Sequence, residues 1–217
     1  GILSATGLGF SLSMMLLDIG GASLFGMLVV TALVAILLGL GLPTTAVYLL
    51  LASLAAPALV QLGIAPIPAH MFVFYFGMLS MITPPIALAS FAAATIAGAG
   101  QIQTAVESFR VGWVAYLLPF LFIYKPALLM EGSWPEILYV AVSSVLALAL
   151  VCGGWLRHGF VPVEGLLRPV WIIVGLLTIT PLSQMGGYGL ELGVSALGAG
   201  LMLHHLMAVR RHRQVPA

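Results

Sequence analysis

The sequence predicts an all-α integral membrane protein built on a re-entrant helical hairpin and a discontinuous transmembrane helix, followed by additional transmembrane helices. Three observations predict it. The 217 residues are 62% hydrophobic and only 6% charged, with a mean hydropathy of +1.19, whereas a soluble domain carries roughly 25% charged residues. A first irregular stretch, Gly39-Leu40-Gly41-Leu42-Pro43-Thr44-Thr45-Ala46, and a second, Ser80-Met81-Ile82-Thr83-Pro84-Pro85, set helix breakers and hydroxyls inside apolar surroundings. Non-helical backbone at membrane depth persists only where protein buries it or where it lines a cavity. Paired breaks of this kind are the best sequence pointer to a transporter binding site.

A spanning helix needs roughly 20 apolar residues. Residues 1–9 read as the tail of a helix, and Gly1-Ile2-Leu3-Ser4-Ala5-Thr6 has no basic n-region of a signal peptide. The expectation is a longer permease whose N-terminal half precedes Gly1. Residues 10–20 are mixed and end at Asp18, as in an interfacial segment. Residues 22–38 are apolar and stop at the first break; residues 45–60 are apolar again, and Pro66 and Pro68 mark a loop. Two pieces too short for full spans, joined by turn chemistry, predict a hairpin with its tip inside the membrane. The alternative is one span over 22–41 and another over 45–62. Residues 69–97 are too long for an untilted span. Pro84 and Pro85 lack backbone donors and turn the preceding residue away from helix, which predicts half-helices over 69–81 and 85–97. A polar connector over Gly98 to Arg110 follows, then spans over 111–130 and 134–153. A polar loop between Trp155 and Arg168, a short apolar stretch over 169–183, a turn at 186–189 and a last span over 190–209 complete the chain.

Few charges remain, so their positions are informative. Arg210, Arg211 and Arg213 place the C-terminus in the cytoplasm by the positive-inside rule. Counting back puts Arg168, Arg157 and Arg110 inside as well, six of the seven basic residues. Residues 62–68 then lie outside, and the hairpin dips inward from the outer face. Lys125, the exception, is expected to snorkel at the outer end of its helix. Net charge is +1, which implies no nucleic acid and no acidic partner. Asp18, Glu107, Glu131, Glu136, Glu164 and Glu191 fall in loops or at ends. Trp113, Trp134, Trp155 and Trp171 read as an aromatic belt, and His70 as an interfacial residue. Adjacent His204 and His205 face different directions on a helix, so they read as a cytoplasmic interface pair and not a metal site. Cys152, the single cysteine, reads as a packing residue.

The chemistry concentrates at the breaks. Sodium is a hard cation, and transporters bind it with unwound carbonyls, half-helix C-terminal ends and hydroxyls. The first break offers the carbonyls of Gly39 and Gly41 and the hydroxyls of Thr44 and Thr45; the second offers Ser80 and Thr83. Half-helix N-termini near Thr45 and Ile86 suit a substrate carboxylate. The candidate ion ligands are therefore Gly39, Gly41, Thr44, Ser80 and Thr83, and the candidate substrate contacts are Thr45, Pro84 and Pro85. Neither break holds an ionisable side chain, which favours sodium over a proton relay as the coupling chemistry. No cofactor is expected. The bland reading of the breaks is packing kinks, since Gly and Pro are frequent in transmembrane helices.

Leu38-Gly39-Leu40-Gly41-Leu42-Pro43-Thr44-Thr45-Ala46-Val47-Tyr48, Ala55-Ala56-Pro57-Ala58-Leu59, Ala69-His70-Met71-Phe72-Val73-Phe74-Tyr75-Phe76-Gly77 and Ile82-Thr83-Pro84-Pro85-Ile86-Ala87-Leu88-Ala89 resemble the large permease subunit of TRAP transporters (DctM-like). The nearest likeness is the fused permease that works with TAXI-type binding proteins. The resemblance covers 1–130 as transport region, with 131–217 as a C-terminal transmembrane extension. It implies sodium-driven uptake of organic acids, C4-dicarboxylates or related carboxylates, delivered by an extracytoplasmic solute-binding protein. It also implies a multi-pass protein of the bacterial inner membrane and an elevator mechanism, with this chain holding the second of two inverted repeats. Carried over, Gly41, Thr44, Thr45, Ser80 and Thr83 are its site residues. At Lys125, before Pro126-Ala127-Leu128-Leu129, the resemblance leads one to expect asparagine.

Two other classes stand beside transport. An intramembrane enzyme needs a nucleophile with a base, or clustered carboxylates, and the sequence sets out neither. A scaffold subunit without a site of its own would leave the two breaks apart or facing lipid.

Overall fold

The computed structural model describes residues 23–155, 167–180 and 188–213 and, ahead of these, Gly7, Ser11, Met14, Met15 and Asp18. The expected helix tail over 1–9 and most of the interfacial segment over 10–20 lie outside the described residues. So do the loop over 156–166, with Arg157 and Glu164, and the first half of the turn at 186–189; of Arg210, Arg211 and Arg213 only the backbone is described. All regular structure among the described residues is helical. Among the described residues, three helical stretches are long and apolar enough to cross a membrane: Thr44–Gln61, Gln101–Tyr124 and Trp134–Trp155. The chain forms two compact units, one ending at Ile123 and the next starting at Tyr124.

The first unit opens with α1 (Leu24–Gly39), capped by the Ser23 hydroxyl, which accepts from the Gly26 N–H at 3.1 Å. A four-residue turn over 40–43 leads to α2 (Thr44–Leu54) and then α3 (Ala56–Gln61). Gly41 stands in that turn at φ +80°, a left-handed conformation that glycine adopts without a Cβ penalty. The helix α4 (Pro66–Leu79) runs on into a single 3-10 turn, Ser80–Ile82. Pro66 and Pro68 were expected in a loop, but they lie in the first turn of α4. The reason is that Pro at the first helical position loses no hydrogen bond and has its φ already set. Chain direction is recovered only at α5 (Leu88–Ala97), because Ala87 sits at φ 30° and extends the break. The second half-helix therefore starts three residues later than the expected 85. It ends at Gly98, φ 64°, with the Ala99 N–H bonded back to the Ala94 carbonyl at 2.9 Å.

The expected polar connector over 98–110 is a helix instead, α6 (Gln101–Gly112). Ile102, Val106 and Phe109 recur at helical spacing along it and are exposed, while Ala105 is buried. Polar composition disguised an amphipathic helix. A 3-10 stretch, Trp113–Leu117, links it to α7 (Leu118–Tyr124), so the span expected at 111 begins at Gln101.

Both α1 and α2 pack on α4, and the buried core between them includes Met27, Leu28, Val47, Leu51, Phe72 and Phe76. Aromatic contacts fasten α7 to this core: Phe120 meets Phe25 at 5.9 Å, Phe72 at 5.4 Å and Phe76 at 5.7 Å between ring centroids. Tilted and edge-on aromatic pairs of this kind add about 0.5–1.5 kcal/mol each beyond area burial. His70 also makes a polar contact, its Nδ1 lying 3.3 Å from the Tyr48 hydroxyl and linking α4 to α2.

The second unit holds a 3-10 turn, Pro126–Leu129, then α8 (Trp134–Trp155), α9 (Leu167–Ile179) and α10 (Tyr188–Arg213). Lipid offers no hydrophobic drive for helix association, so small residues must let backbones close in. A Cβ on Gly175 would lie 2.9 Å from the Ala147 carbonyl, and one on Gly154 would lie 3.0 Å from the Arg168 carbonyl, so α8 and α9 pack at glycine contacts. Trp134 and Trp155 are exposed at the two ends of α8. Trp171, however, is buried and packs edge-on to a half-buried His205 at 5.2 Å, so Trp171 belongs to the core and not to a belt. Lys125 does not snorkel. It is 5% exposed and pairs at 2.8 Å with Glu191, which is itself buried in the first turn of α10.

Candidate functional site

Each break frees backbone groups, and the adjacent hydroxyls take them up. The peptide nitrogens of Pro84 and Pro85 have no hydrogen to donate to the preceding turn. The Thr83 N–H bonds to the Ser80 carbonyl at 3.2 Å, which leaves the Leu79 carbonyl without the donor an α-helix would bring. The Thr83 hydroxyl fills that place at 2.6 Å. Its single proton is thereby used, so the Tyr116 hydroxyl, also at 2.6 Å, is the donor of that second bond. Tyr116 was not picked out from the sequence. Its signal is the aromatic run itself: the ring is gripped by Phe76 and Phe109 at 6.3 and 5.4 Å.

Ser80 does the same work one turn earlier. It is 2% exposed, and its single hydroxyl proton is shared between the Gly77 carbonyl at 2.6 Å and the Gly39 carbonyl at 2.9 Å. The second contact joins the two breaks directly, across 41 residues of sequence. Glycine at 39 makes it possible, because a Cβ there would lie 2.7 Å from Ser80 Oγ and 2.9 Å from the Gly77 carbonyl. The approach continues past the helix end: a Cβ on Gly41 would stand 4.0 Å from the Ile86 side chain. The tip of the α1–α2 turn therefore lies beside the 83–87 turn.

The remaining candidates differ in their surroundings. Thr44 is half-buried and Thr45 exposed; neither hydroxyl bonds to another described residue. They occupy the first turn of α2, whose cap residue Pro43 supplies no side-chain bond, so the first backbone N–H groups of that helix point out unsatisfied. Pro84 is half-buried and Pro85 exposed, joined by a cis peptide. No hydrogen bond ties Thr44 or Thr45 to residues 80–85 among the described residues. The half-helix N-terminus expected near Ile86 lies at Leu88.

As a donor set for a hard cation, the hydroxyls of Ser80 and Thr83 keep oxygen lone pairs to offer while their protons point at carbonyls. The Gly39 carbonyl is already engaged by Ser80 and, at 3.4 Å, by the Leu42 N–H. Removing the Tyr116 donor tests the brace: Tyr116→Phe should lower stability by about 1 kcal/mol, the usual worth of one such bond, seen as a lower melting midpoint in detergent.

A family model described as Tripartite ATP-independent periplasmic transporter, DctM component, matches residues 1–137. No curated protein and no solved structure matches the chain.

Proposed function

The chain belongs to the DctM-component family of the tripartite ATP-independent periplasmic transporters, and on that premise we propose that it serves sodium-coupled import of organic acids. A membrane permease component of a tripartite transporter works with a solute-binding protein and a small membrane subunit. Here the binding protein delivers the acid from outside the membrane, and sodium supplies the driving force. The coupling ion is read at Gly39, Gly41, Thr44, Ser80 and Thr83, the carboxylate at Thr45, Pro84 and Pro85 and at the N-terminus of α2. An inner-membrane location with a cytoplasmic C-terminus, a re-entrant α1–α2 hairpin and elevator motion of the braced breaks complete the reading. Residues 1–130 act as its transport region and residues 131–217 as an extension.

The observation that carries this is the Ser80–Gly39 bond, 2.9 Å long and buried. A hydroxyl shared between the two breaks holds them side by side, which two breaks facing lipid would not do. With Gly41 beside Ile86, one locus gathers freed carbonyls, hydroxyls and helix-start N–H groups, the materials of a cation site next to an anion site.

The test is sodium-dependent uptake of a labelled dicarboxylate by the assembled transporter in proteoliposomes. Thr44→Val and Thr83→Val should each raise the sodium concentration for half-maximal uptake, by about tenfold for the loss of roughly 1.4 kcal/mol of ligation. Thr45→Val should instead raise the substrate KM. Unchanged sodium dependence in both of the first two variants, with intact folding, would overturn the ion assignment.

A further inference from the structure

We propose that Lys125, Glu191 and the Thr178 carbonyl form a buried clasp by which the segment beyond residue 137 becomes an obligate part of the fold. All three groups lie in the second unit. Lys125 falls within the family-matched residues 1–137, whereas Thr178 and Glu191 lie outside them. The ammonium of Lys125 donates to Glu191 Oε1 at 2.8 Å and to the Thr178 carbonyl at 2.9 Å. Both charged residues are 5% exposed.

Each charge sits where a helix end favours it. Thr178 lies one residue before the end of α9, so its carbonyl belongs to the last turn, which has no intrahelical donor and carries partial negative charge. The cation of Lys125 meets it there. Glu191 occupies the first turn of α10, where partial positive charge favours a carboxylate. One lysine thus neutralises the end of one helix and the acid at the start of the next. Four residues along the same face of α10, Ser195 meets the Tyr139 hydroxyl of α8 at 3.2 Å. The polar contacts of α10 therefore reach the Lys125 turn and α8, and Lys125 carries the link on to α9.

A charge in this position cannot be kept alone. Breaking a buried pair by removing one partner strands the other in low dielectric, whereas replacing both by neutral groups is often tolerated. Ionisable residues in apolar helices persist when paired. Lys125 is therefore acceptable in the matched region because the segment beyond it supplies Glu191.

The experiment uses the full chain with Lys125→Met, Glu191→Gln, the double variant and the exchanged pair Lys125→Glu/Glu191→Lys. The readout is the yield of monodisperse protein in mild detergent and the half-time of its aggregation on heating. Each single variant should lose yield by about tenfold or more, and the neutral double should recover to within about threefold of the parent. The exchanged pair should stay poor, since each charge then faces the unfavourable helix end. Singles that behave like the parent, or a double as poor as the product of the two single losses, would overturn the clasp.

Discussion

Gly39→Val should abolish uptake while the protein still reaches the membrane. The first carbon of any side chain at 39 would lie 2.7 Å from Ser80 Oγ and 2.9 Å from the Gly77 carbonyl. The serine Oγ can rotate away, but Ser80 Cβ, at 3.0 Å, and the Gly77 carbonyl, part of the backbone of α4, cannot. The end of α1 must then lift from the broken helix, losing the 2.9 Å bond to Ser80. Overpacking costs typically 1–3 kcal/mol and a stranded buried polar group about as much again. The loss falls where the two breaks meet, so uptake should drop by at least about a hundredfold, the rate equivalent of roughly 2.7 kcal/mol. Gly39→Ala should be milder. Adding Ser80→Gly to it should recover only part of the loss, since the Gly77 carbonyl still blocks. Full recovery would mean that the serine alone sets the spacing.

Gly175→Leu should be the most damaging change in the second unit. Its first carbon would meet Val151 Cγ2 at 2.6 Å and the Ala147 carbonyl at 2.9 Å, so α9 must move away from α8. In lipid the separated helices regain contacts with acyl chains, and the penalty is lost close packing instead of exposed apolar area. At about 1–3 kcal/mol, and with each kcal/mol worth roughly 2–4 °C in a domain of this size, the melting midpoint in detergent should fall by several degrees. Gly200→Leu is the control. No atom lies within 4 Å of a Cβ there, and the midpoint should not change.

What could be read in advance follows from the range of the interactions. Pro43, Pro84, Pro85 and Gly41 announce the breaks because each removes a donor or permits a backbone angle by itself, with no partner needed. The apolar runs of α1, α2 and α8 were legible for the same reason. Boundaries shifted where a local rule had an exception. Pro66 starts a helix as readily as it ends one, and Ala87 at φ 30° prolongs a turn that composition would have closed at Pro85. The helix α6 was missed because Gln101, Gln103, Glu107 and Arg110 drew attention from the 3–4 spacing of Ile102, Val106 and Phe109. Least legible were the long-range pairs. Lys125 and Glu191 are 66 residues apart, Thr83 and Tyr116 are 33 apart, and Ser80 and Gly39 are 41 apart. A single sequence names the members of such pairs without joining them. That is why Lys125 read as a snorkelling surface residue and Trp171 as part of a belt.

The braces also refine what the breaks offer. Ser80 and Thr83 were expected as ion ligands only, yet both first satisfy carbonyls that the break sets free. Their oxygens are held in place by those same bonds, so a cation would meet pre-oriented lone pairs. Thr44 and Thr45 have no such brace and leave the first turn of α2 open.

The measurement that tests sodium coupling most directly is uptake of a labelled dicarboxylate into vesicles carrying the assembled transporter and its binding protein, driven in turn by a sodium gradient and by a pH gradient. Accumulation is expected with inward sodium at equal pH on both sides, and none with inward protons in sodium-free buffer. Accumulation driven by the pH gradient alone would contradict sodium coupling, because neither break contains a side chain able to carry the proton.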